Sequence, residues 1–221
     1  MDFLLAPRFS RPALAVAAAV LLLAAARPAR AELVVSVQDV TAPAGTTGNT
    51  LEVDVSNTGS LAVDISAFSF EISVAGSSGV TLTGADTSTT LATYIFAGNS
   101  LYGPTISTTT PGTTLDASDI ASTGSTSLAG GETLGLGLVS FDVTGSTPTG
   151  PVTVTLTGYP STSLTASNTS NIPIDALNNG TITITPSAVP EPSSLVSATL
   201  GLLGAGWLVR RRRASAGPDL P

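Results

Sequence analysis

Carboxylates are the side chains best suited to chemistry in the middle of this 221-residue chain. Of its 15 acids, three lie near the two ends and twelve lie between residues 32 and 188. Asp116 and Asp119 occur together in the sequence Asp-Ala-Ser-Asp. Calcium takes oxygen ligands from carboxylates and backbone carbonyls, and a loop at this position could offer two of them. A calcium site and a pair of solvated loop acids both stay open, because the Asp-x-Asp-x-Asp-Gly spacing of a calcium loop is absent.

Basic side chains are confined to the two ends of the chain. All eight are arginines, at positions 8, 11, 27, 30 and 210–213, and the sequence has no lysine or histidine. Residues 32–188 therefore carry twelve negative and no positive side chains, a formal charge of −12 that the whole-chain value of −7 conceals. A surface without cations cannot neutralise phosphate, which excludes nucleic-acid binding. Only solvent, salt or bound cations such as calcium can offset these acids.

Missing residue types exclude most catalytic chemistry. Without Cys and His the chain cannot build a thiol nucleophile, a Ser-His-Asp triad or a zinc site, and without Lys it cannot form a Schiff base. Carboxylate catalysis, as in glycoside hydrolysis, needs two acids facing each other across a cleft. A sugar platform is usually aromatic, and aromatic residues make up only 5% of the chain. We therefore predict that the chain is not an enzyme and needs no cofactor, calcium being the one exception left open.

Short runs with alternating apolar side chains fill residues 32–188. They lie at Leu33 to Val37, Leu51 to Val55, Phe68 to Val74, Val80 to Leu82, Tyr94 to Phe96, Leu134 to Val143, Val152 to Leu156 and Thr181 to Thr185. A period of two is that of a strand with one buried face, and Gly, Asn, Pro and Ser separate the runs. The pattern predicts an all-β antiparallel sandwich of jelly-roll or immunoglobulin-like type. The Thr- and Ser-rich stretch from Thr105 to Ser127 is expected to be an exposed loop.

The first 31 residues have the three parts of a secretory signal peptide. Two arginines precede an apolar segment of 14 residues from Ala13 to Ala26, and Ala29 and Ala31 form the small-x-small cleavage site. We predict that cleavage makes Glu32 the mature N-terminus. An uncleaved membrane anchor is the alternative, although 14 residues are few for a membrane span.

The C-terminus combines a proline-rich motif, an apolar stretch and a basic cluster. The motif consists of Val189, Pro190, Glu191 and Pro192. The apolar stretch, residues 193–209, would span about 25 Å as a helix, near the lower limit for a hydrocarbon core. The basic cluster consists of Arg210, Arg211, Arg212 and Arg213, which should hold that end in the cytoplasm. We predict a transmembrane helix at 193–209, a cytoplasmic tail at 214–221, and residues 32–188 outside the membrane.

The order of the strands resembles the cohesin-like and carbohydrate-binding-module-like sandwiches of bacterial surface proteins. The resemblance rests on a first strand at Leu33–Val37, a Pro43-Ala44-Gly45 turn, a second strand ending at Asn57, a strand at Phe68–Ile72, and a later pair at Leu136–Val143 and Val152–Leu156. It covers about residues 33–157. It implies the architecture only, because no residue of a partner-binding surface can be matched.

The tail resembles the PEP-CTERM sorting signal of Gram-negative bacteria, because all three of its parts occur in order at the end of the chain. The resemblance implies that a membrane-embedded exosortase recognises Pro190-Glu191-Pro192 and cleaves near it. The two prolines would keep this segment extended and stop the helix from continuing upward. A plain membrane anchor is the alternative, and the tail at 214–221 is longer than the pattern leads one to expect.

These observations predict an exported protein that is first anchored in the membrane and then released to the cell surface or extracellular matrix. Its partners would be an exosortase-type protease and the membrane, with extracellular polysaccharide as a further candidate. The sandwich would have a structural or adhesive role. The first alternative is a calcium-assisted polysaccharide-binding module that uses Tyr94, Tyr102 or Tyr159, and the second is a carboxylate-only glycosidase.

Overall fold

The computed structural model describes residues 30–107 and 112–187, which fold into packed β-sheets. No helix occurs in these two ranges, and hence none that could cross a membrane. The predicted transmembrane helix and arginine cluster lie outside the described residues, as does the signal peptide apart from residues 30 and 31.

The strands follow one another closely along the chain. In order they are β1 Leu33–Val37, β2 Val40–Pro43, β3 Asn49–Asn57, β4 Val63–Ile65, β5 Ala67–Ser73, β6 Val80–Asp86, β7 Thr105–Ser107, β8 Thr114–Ile120, β9 Thr126–Leu128, β10 Thr133–Val143, β11 Gly150–Leu156, β12 Ser163–Thr165, β13 Asn171–Ile172, β14 Ala176–Asn178 and β15 Gly180–Thr185.

Two sheets form the sandwich. The first has the order β14-β1-β3-β10-β6, and the second contains β13-β12-β5-β11-β15-β2 with β8 and β7 added beyond β5. A small third sheet pairs β4 with β9. Most neighbours are antiparallel, but β1 runs parallel to β14 and β15 runs parallel to β2. The prediction of an all-β sandwich is confirmed.

The core lies between the inner faces of the two sheets. In β3 it is formed by Leu51, Val53 and Val55, and in β5 by Phe68, Phe70 and Ile72. Successive side chains of a strand point to opposite faces, so every second residue of each strand faces the core and the others face away from it. This burial of apolar surface is the dominant favourable contribution to folding.

Two parts of the sequence-based prediction are wrong. The stretch from Thr105 to Ser127 is not a loop, because β8 lies inside it, pairs with β5 along seven residues and buries Leu115 completely. The small Ala and Ser side chains of β8 make its alternation of apolar and polar residues hard to recognise in the sequence. Tyr94 to Phe96 do not form a strand, although Tyr94 makes a single parallel bridge to Gly135.

The segment from Thr87 to Pro104, which we call the crossing segment, connects β6 to β7 and wraps around the edge of the first sheet. The N–H of Gly135 donates to the Thr93 carbonyl at 2.9 Å, and the N–H of Ile95 donates to the Gly135 carbonyl at 2.8 Å. A Cβ atom at Gly135 would lie 2.7 Å from the Thr89 methyl group. A glycine at this position therefore allows the segment to pass directly over the outer face of β10.

Candidate functional site

The outer face of β5 and β8 carries a pair of carboxyl groups. Glu71 and Asp116 are direct partners in the antiparallel register, where opposed side chains lie about 5 Å apart. Serines and threonines surround the pair, and Ser69 bonds to Ser163 at 2.9 Å. The result is a polar, acidic surface formed by neighbouring strands.

The two carboxyl groups have opposite pKa shifts. A hydrogen bond from the Thr157 side chain, helped by Asp116 and Ser161, lowers the pKa of Glu71. Burial and the adjacent Glu71 raise the pKa of Asp116. Two adjacent carboxylates repel each other, so one of them retains its proton to a higher pH. Asp116 is that residue, and it donates to Glu71 when protonated.

Asp119 faces the opposite way from Asp116 and is buried. Its Oδ2 accepts hydrogen bonds from the Tyr94 hydroxyl at 2.7 Å and the Ser100 hydroxyl at 2.6 Å. Its Oδ1 accepts from the backbone N–H of Ile120 at 2.8 Å. Burial and the bond to Asp119 raise the pKa of Tyr94 far above its ordinary value. These bonds tie the crossing segment to β8.

The structure does not bring the predicted calcium ligands together. Asp116 and Asp119 are three residues apart in a strand, so their side chains point to opposite faces. Asp119 is already occupied by three donors, whereas Asp116 lies beside Glu71. In residues 30–107 and 112–187, no three acidic side chains come close enough to hold a metal ion. Calcium binding by this chain stays a prediction.

The three tyrosines proposed as sugar platforms have different environments. Tyr94 is 5% exposed and belongs to an aromatic cluster with Phe68, Phe70 and Phe96. Tyr102 and Tyr159 are 81% and 73% exposed. Only Tyr102 and Tyr159 are therefore able to stack on a ligand from solvent.

Tyr159 borders a groove of about 100 Å³. Its other lining residues are Thr162, Asn171, Ile172, Ile174 and Leu177. A second cavity, of about 190 Å³, lies within the crossing segment and is lined by Thr87, Tyr94, Phe96, Ala97, Gly98 and Ser100. Neither cavity is lined by an acid, so neither has the facing carboxyl groups that glycoside hydrolysis needs.

A second acidic pair was not singled out from the sequence. Glu52 and Asp54 both project from the outer face of β3, and the crossing segment covers them. Glu52 is fully buried, and it accepts hydrogen bonds from the backbone N–H groups of Thr90 and Leu91. Alternation in this strand placed both acids on one face. Nothing local in the sequence showed that a distant segment would cover that face.

Asp54 is less well satisfied than Glu52. Its Oδ1 is buried and makes no hydrogen bond within the described residues, and the same is true of the nearby Thr89 hydroxyl. Burial, and to a lesser extent the charge of Glu52, raise the pKa of Asp54 from 3.8 to about 6. At neutral pH the domain therefore holds a strained carboxylate under the crossing segment.

Comparisons with known proteins assign both the tail and the fold. A family model described as the PEP-CTERM protein-sorting motif matches residues 188–213. The chain carries this sorting motif. The matched range includes the predicted Pro-Glu-Pro and the arginine cluster, and it indicates an exported protein that an exosortase recognises at the membrane.

Solved structures similar to the β-sandwich include several cohesins. The CaCohA2 cohesin of Clostridium acetobutylicum, solved in complex with a variant of CaDoc0917, is 21% identical, with a TM-score of 0.54 over 69% of this chain and 99% of that chain. The seventh ScaB type I cohesin of Pseudobacteroides cellulosolvens is 15% identical, with a TM-score of 0.52 over 72% of this chain and 96% of that chain.

A third cohesin, the sixth from scaffoldin B of Acetivibrio cellulolyticus, was solved in complex with a Cel5 dockerin. It is 15% identical, with a TM-score of 0.50 over 70% of this chain and 99% of that chain. At these identities the likeness shows the fold, which is cohesin-like as the strand order predicted. The search of curated proteins gave no match.

The two acids of β8 give a matched pair of substitutions with different expected outcomes. Asp119→Asn removes the charged acceptor of three hydrogen bonds in a buried site, and should lower the free energy of unfolding by about 1–3 kcal/mol. Asp116→Asn removes a repulsion from Glu71 at the surface, and should change it by less than about 0.5 kcal/mol. Urea denaturation at pH 7 measures both. Equal losses would contradict the network around Asp119.

Asp54 should make the domain less stable as the pH rises. Its folded pKa of about 6 exceeds the value of 3.8 expected when unfolded, so the penalty is absent below about pH 4 and complete above about pH 6. Asp54→Asn should remove it and stabilise the domain at pH 7 by about 1–2 kcal/mol, allowing for solvent screening. Unfolding curves from pH 4 to 7 measure the difference, with exposed Asp64→Asn as the control. A difference that does not vary with pH would count against this assignment.

Proposed function

We propose that the sandwich is an adhesive binding module that exosortase processing delivers to the cell surface or extracellular matrix. The sorting motif at residues 188–213 is the observation that carries this proposal. The cohesin-like fold supports a binding role, since the cohesin from Acetivibrio cellulolyticus was solved in complex with a dockerin.

The connection between sandwich and motif supports release by a single cut. β15 ends at Thr185, whose carbonyl accepts a hydrogen bond from the Ala44 N–H at 2.9 Å. Only four residues separate Thr185 from Pro190. A cut near the Pro-Glu-Pro therefore leaves every strand intact, and the uncut domain stands within about 25 Å of the membrane.

The charge of the domain supports its departure from the membrane after cleavage. Residues 32–187 carry twelve acids and no side-chain cation. Anionic lipids attract basic segments, so they do not attract an acidic domain to the membrane surface. The same charge favours a partner with cationic groups, and the acidic outer face around Glu71 and Asp116 is where such a partner would dock.

Intact mass of the exported protein tests the processing. The wild type should begin at Glu32 and end near Pro192, and a strain without the exosortase should retain residues 193–213. Replacing Pro190, Glu191 and Pro192 together by alanine should have the same effect in a normal strain, whereas Pro186→Ala, just outside the matched range, should leave processing unchanged. Retention of residues 193–213 in every strain would instead indicate a plain transmembrane anchor.

A neutral polysaccharide is the second candidate ligand, and the Tyr159 groove is the observation that favours it. An exposed aromatic ring beside an apolar floor can stack on a sugar, and the exposed Asn171 adds a polar group beside it. A domain of this charge would repel an acidic polymer, so the polysaccharide would be neutral.

Two single substitutions separate this candidate from the first. Tyr159→Ala should weaken binding to the cell's own neutral extracellular polysaccharide about 3- to 10-fold, as loss of a stacked aromatic ring predicts. Tyr102→Ala removes an equally exposed tyrosine outside the groove and serves as the matched control. Retardation in gels that contain the polysaccharide measures binding. Equal retardation of the wild type and both variants would eliminate the groove as a sugar site.

A further inference from the structure

The backbone around the predicted signal-cleavage site is part of the folded domain. The carbonyl oxygen of Arg30 accepts a hydrogen bond at 3.0 Å from a backbone N–H of the turn that follows β3, and the N–H of Glu32 donates to Oδ1 of Asn57 at 3.2 Å. A side chain at Gly59 would overlap the Arg30 carbonyl and come within 2.6 Å of the Glu32 nitrogen. The bond between Ala31 and Glu32 therefore packs against Gly59 on one side and is half-buried in the folded domain.

Asp175 lies beside this junction and binds residues on both sides of it. Its Oδ2 accepts a hydrogen bond from the Leu33 N–H at 2.9 Å, and its own N–H donates to the Leu33 carbonyl at 2.8 Å. Its Oδ1 pairs with the Arg30 guanidinium at 3.4 Å, and the Glu32 carboxylate lies 4.0 Å from the same guanidinium. Cleavage after Ala31 removes that arginine and leaves Oδ1 of Asp175 without its cation.

We propose that the α-ammonium group released at Glu32 takes the place of the Arg30 guanidinium beside Asp175 and fixes the first strand of the mature domain. This inference rests on the export proposed above. The nitrogen concerned is the atom that already donates to Asn57. It lies one residue, or about 3.3 Å along an extended strand, from the Leu33 nitrogen that Asp175 binds. The ammonium is then within about 6 Å of the carboxylate, where an opposite charge favours the charged form.

This ammonium is the one positive group that residues 32–187 can supply, because they contain no Lys, Arg or His. It holds the end of β1 at the point where that strand meets both β3 and β14. A free α-amino group has a pKa of about 8, and pairing with Asp175 raises it. As long as Asp175 is ionised, the stabilisation is complete below about pH 8, and it is lost as the pH rises through the higher pKa that the ammonium has in the folded state.

The absence of lysine from the whole chain makes the test simple, because the α-amino group is the sole amine of the exported protein. Acetylation removes its charge, and reductive dimethylation with ¹³C-formaldehyde keeps it. Acetylation of the purified mature protein should lower the Tm by about 2–4 °C, whereas dimethylation should not. The ¹³C methyl signal should titrate at least about half a pH unit higher in the wild type than in Asp175→Asn. The amide oxygen introduced by that substitution would still accept from the Leu33 N–H, and Asp64→Asn is the control for a simple loss of charge.

Each outcome has a separate meaning. A terminus other than Glu32, found by mass, overturns this proposal together with the predicted signal cleavage. A Glu32 terminus whose acetylation leaves the Tm unchanged overturns the ion pair alone. Equal titration in the wild type and Asp175→Asn does the same. Failure of the exosortase cut changes only the C-terminal mass, so it is distinguished from all three.

Discussion

The lack of any side-chain cation in residues 32–187 is the constraint on which the rest of the structure depends. A buried carboxylate is normally paired with Arg or Lys, and here it must be satisfied by neutral donors. Glu52 uses two backbone N–H groups, and Asp119 uses two hydroxyls and one backbone N–H. Both sets of donors include residues of the crossing segment. The two acids thus hold the crossing segment, the longest connection of the domain, in place. A buried carboxylate with these donors costs less free energy than a buried carboxylate without them.

The same lack of cations explains which carboxyl groups are unfavourable in their charged form. Asp54 lies beside Glu52 without a hydrogen bond to Oδ1, and Asp116 lies beside Glu71. In both pairs the pKa of one member is raised, first by burial and then by the negative charge of its neighbour, since no cation lies between them. A protein with ordinary Lys and Arg content could relieve this with a salt bridge. Here the remaining relief within each pair is a retained proton.

The division between the sandwich and the two ends of the chain also divides most of the negative charges from the positive ones. All strands are complete by Thr185, and the sorting motif begins at residue 188. The positive charges of the precursor lie outside residues 32–188, at the two ends of the chain. The proposed removal of both ends would therefore take away every arginine and leave a uniformly acidic domain. The gain of an α-ammonium at Glu32 would partly offset the loss of Arg30 at one place, beside Asp175.

Local sequence patterns are sufficient to predict the sandwich, the acidity of the domain and the sorting tail. These depend on local patterns: alternation in β3, β5 and β10 follows from the geometry of a strand, and the tail motif is contiguous in the chain. Burial could not be predicted in this way. β8 was mistaken for a loop because its inner face is made of Leu115, Ala117 and Asp119, and only packing against β5 shows that such small or polar side chains are buried. Likewise, long-range packing places Tyr94 in the core and Tyr159 in solvent, covers Glu52 with a distant segment, and brings Asp175 against the first strand. Each of these depends on contacts between residues far apart in sequence, about which local periodicity carries no information.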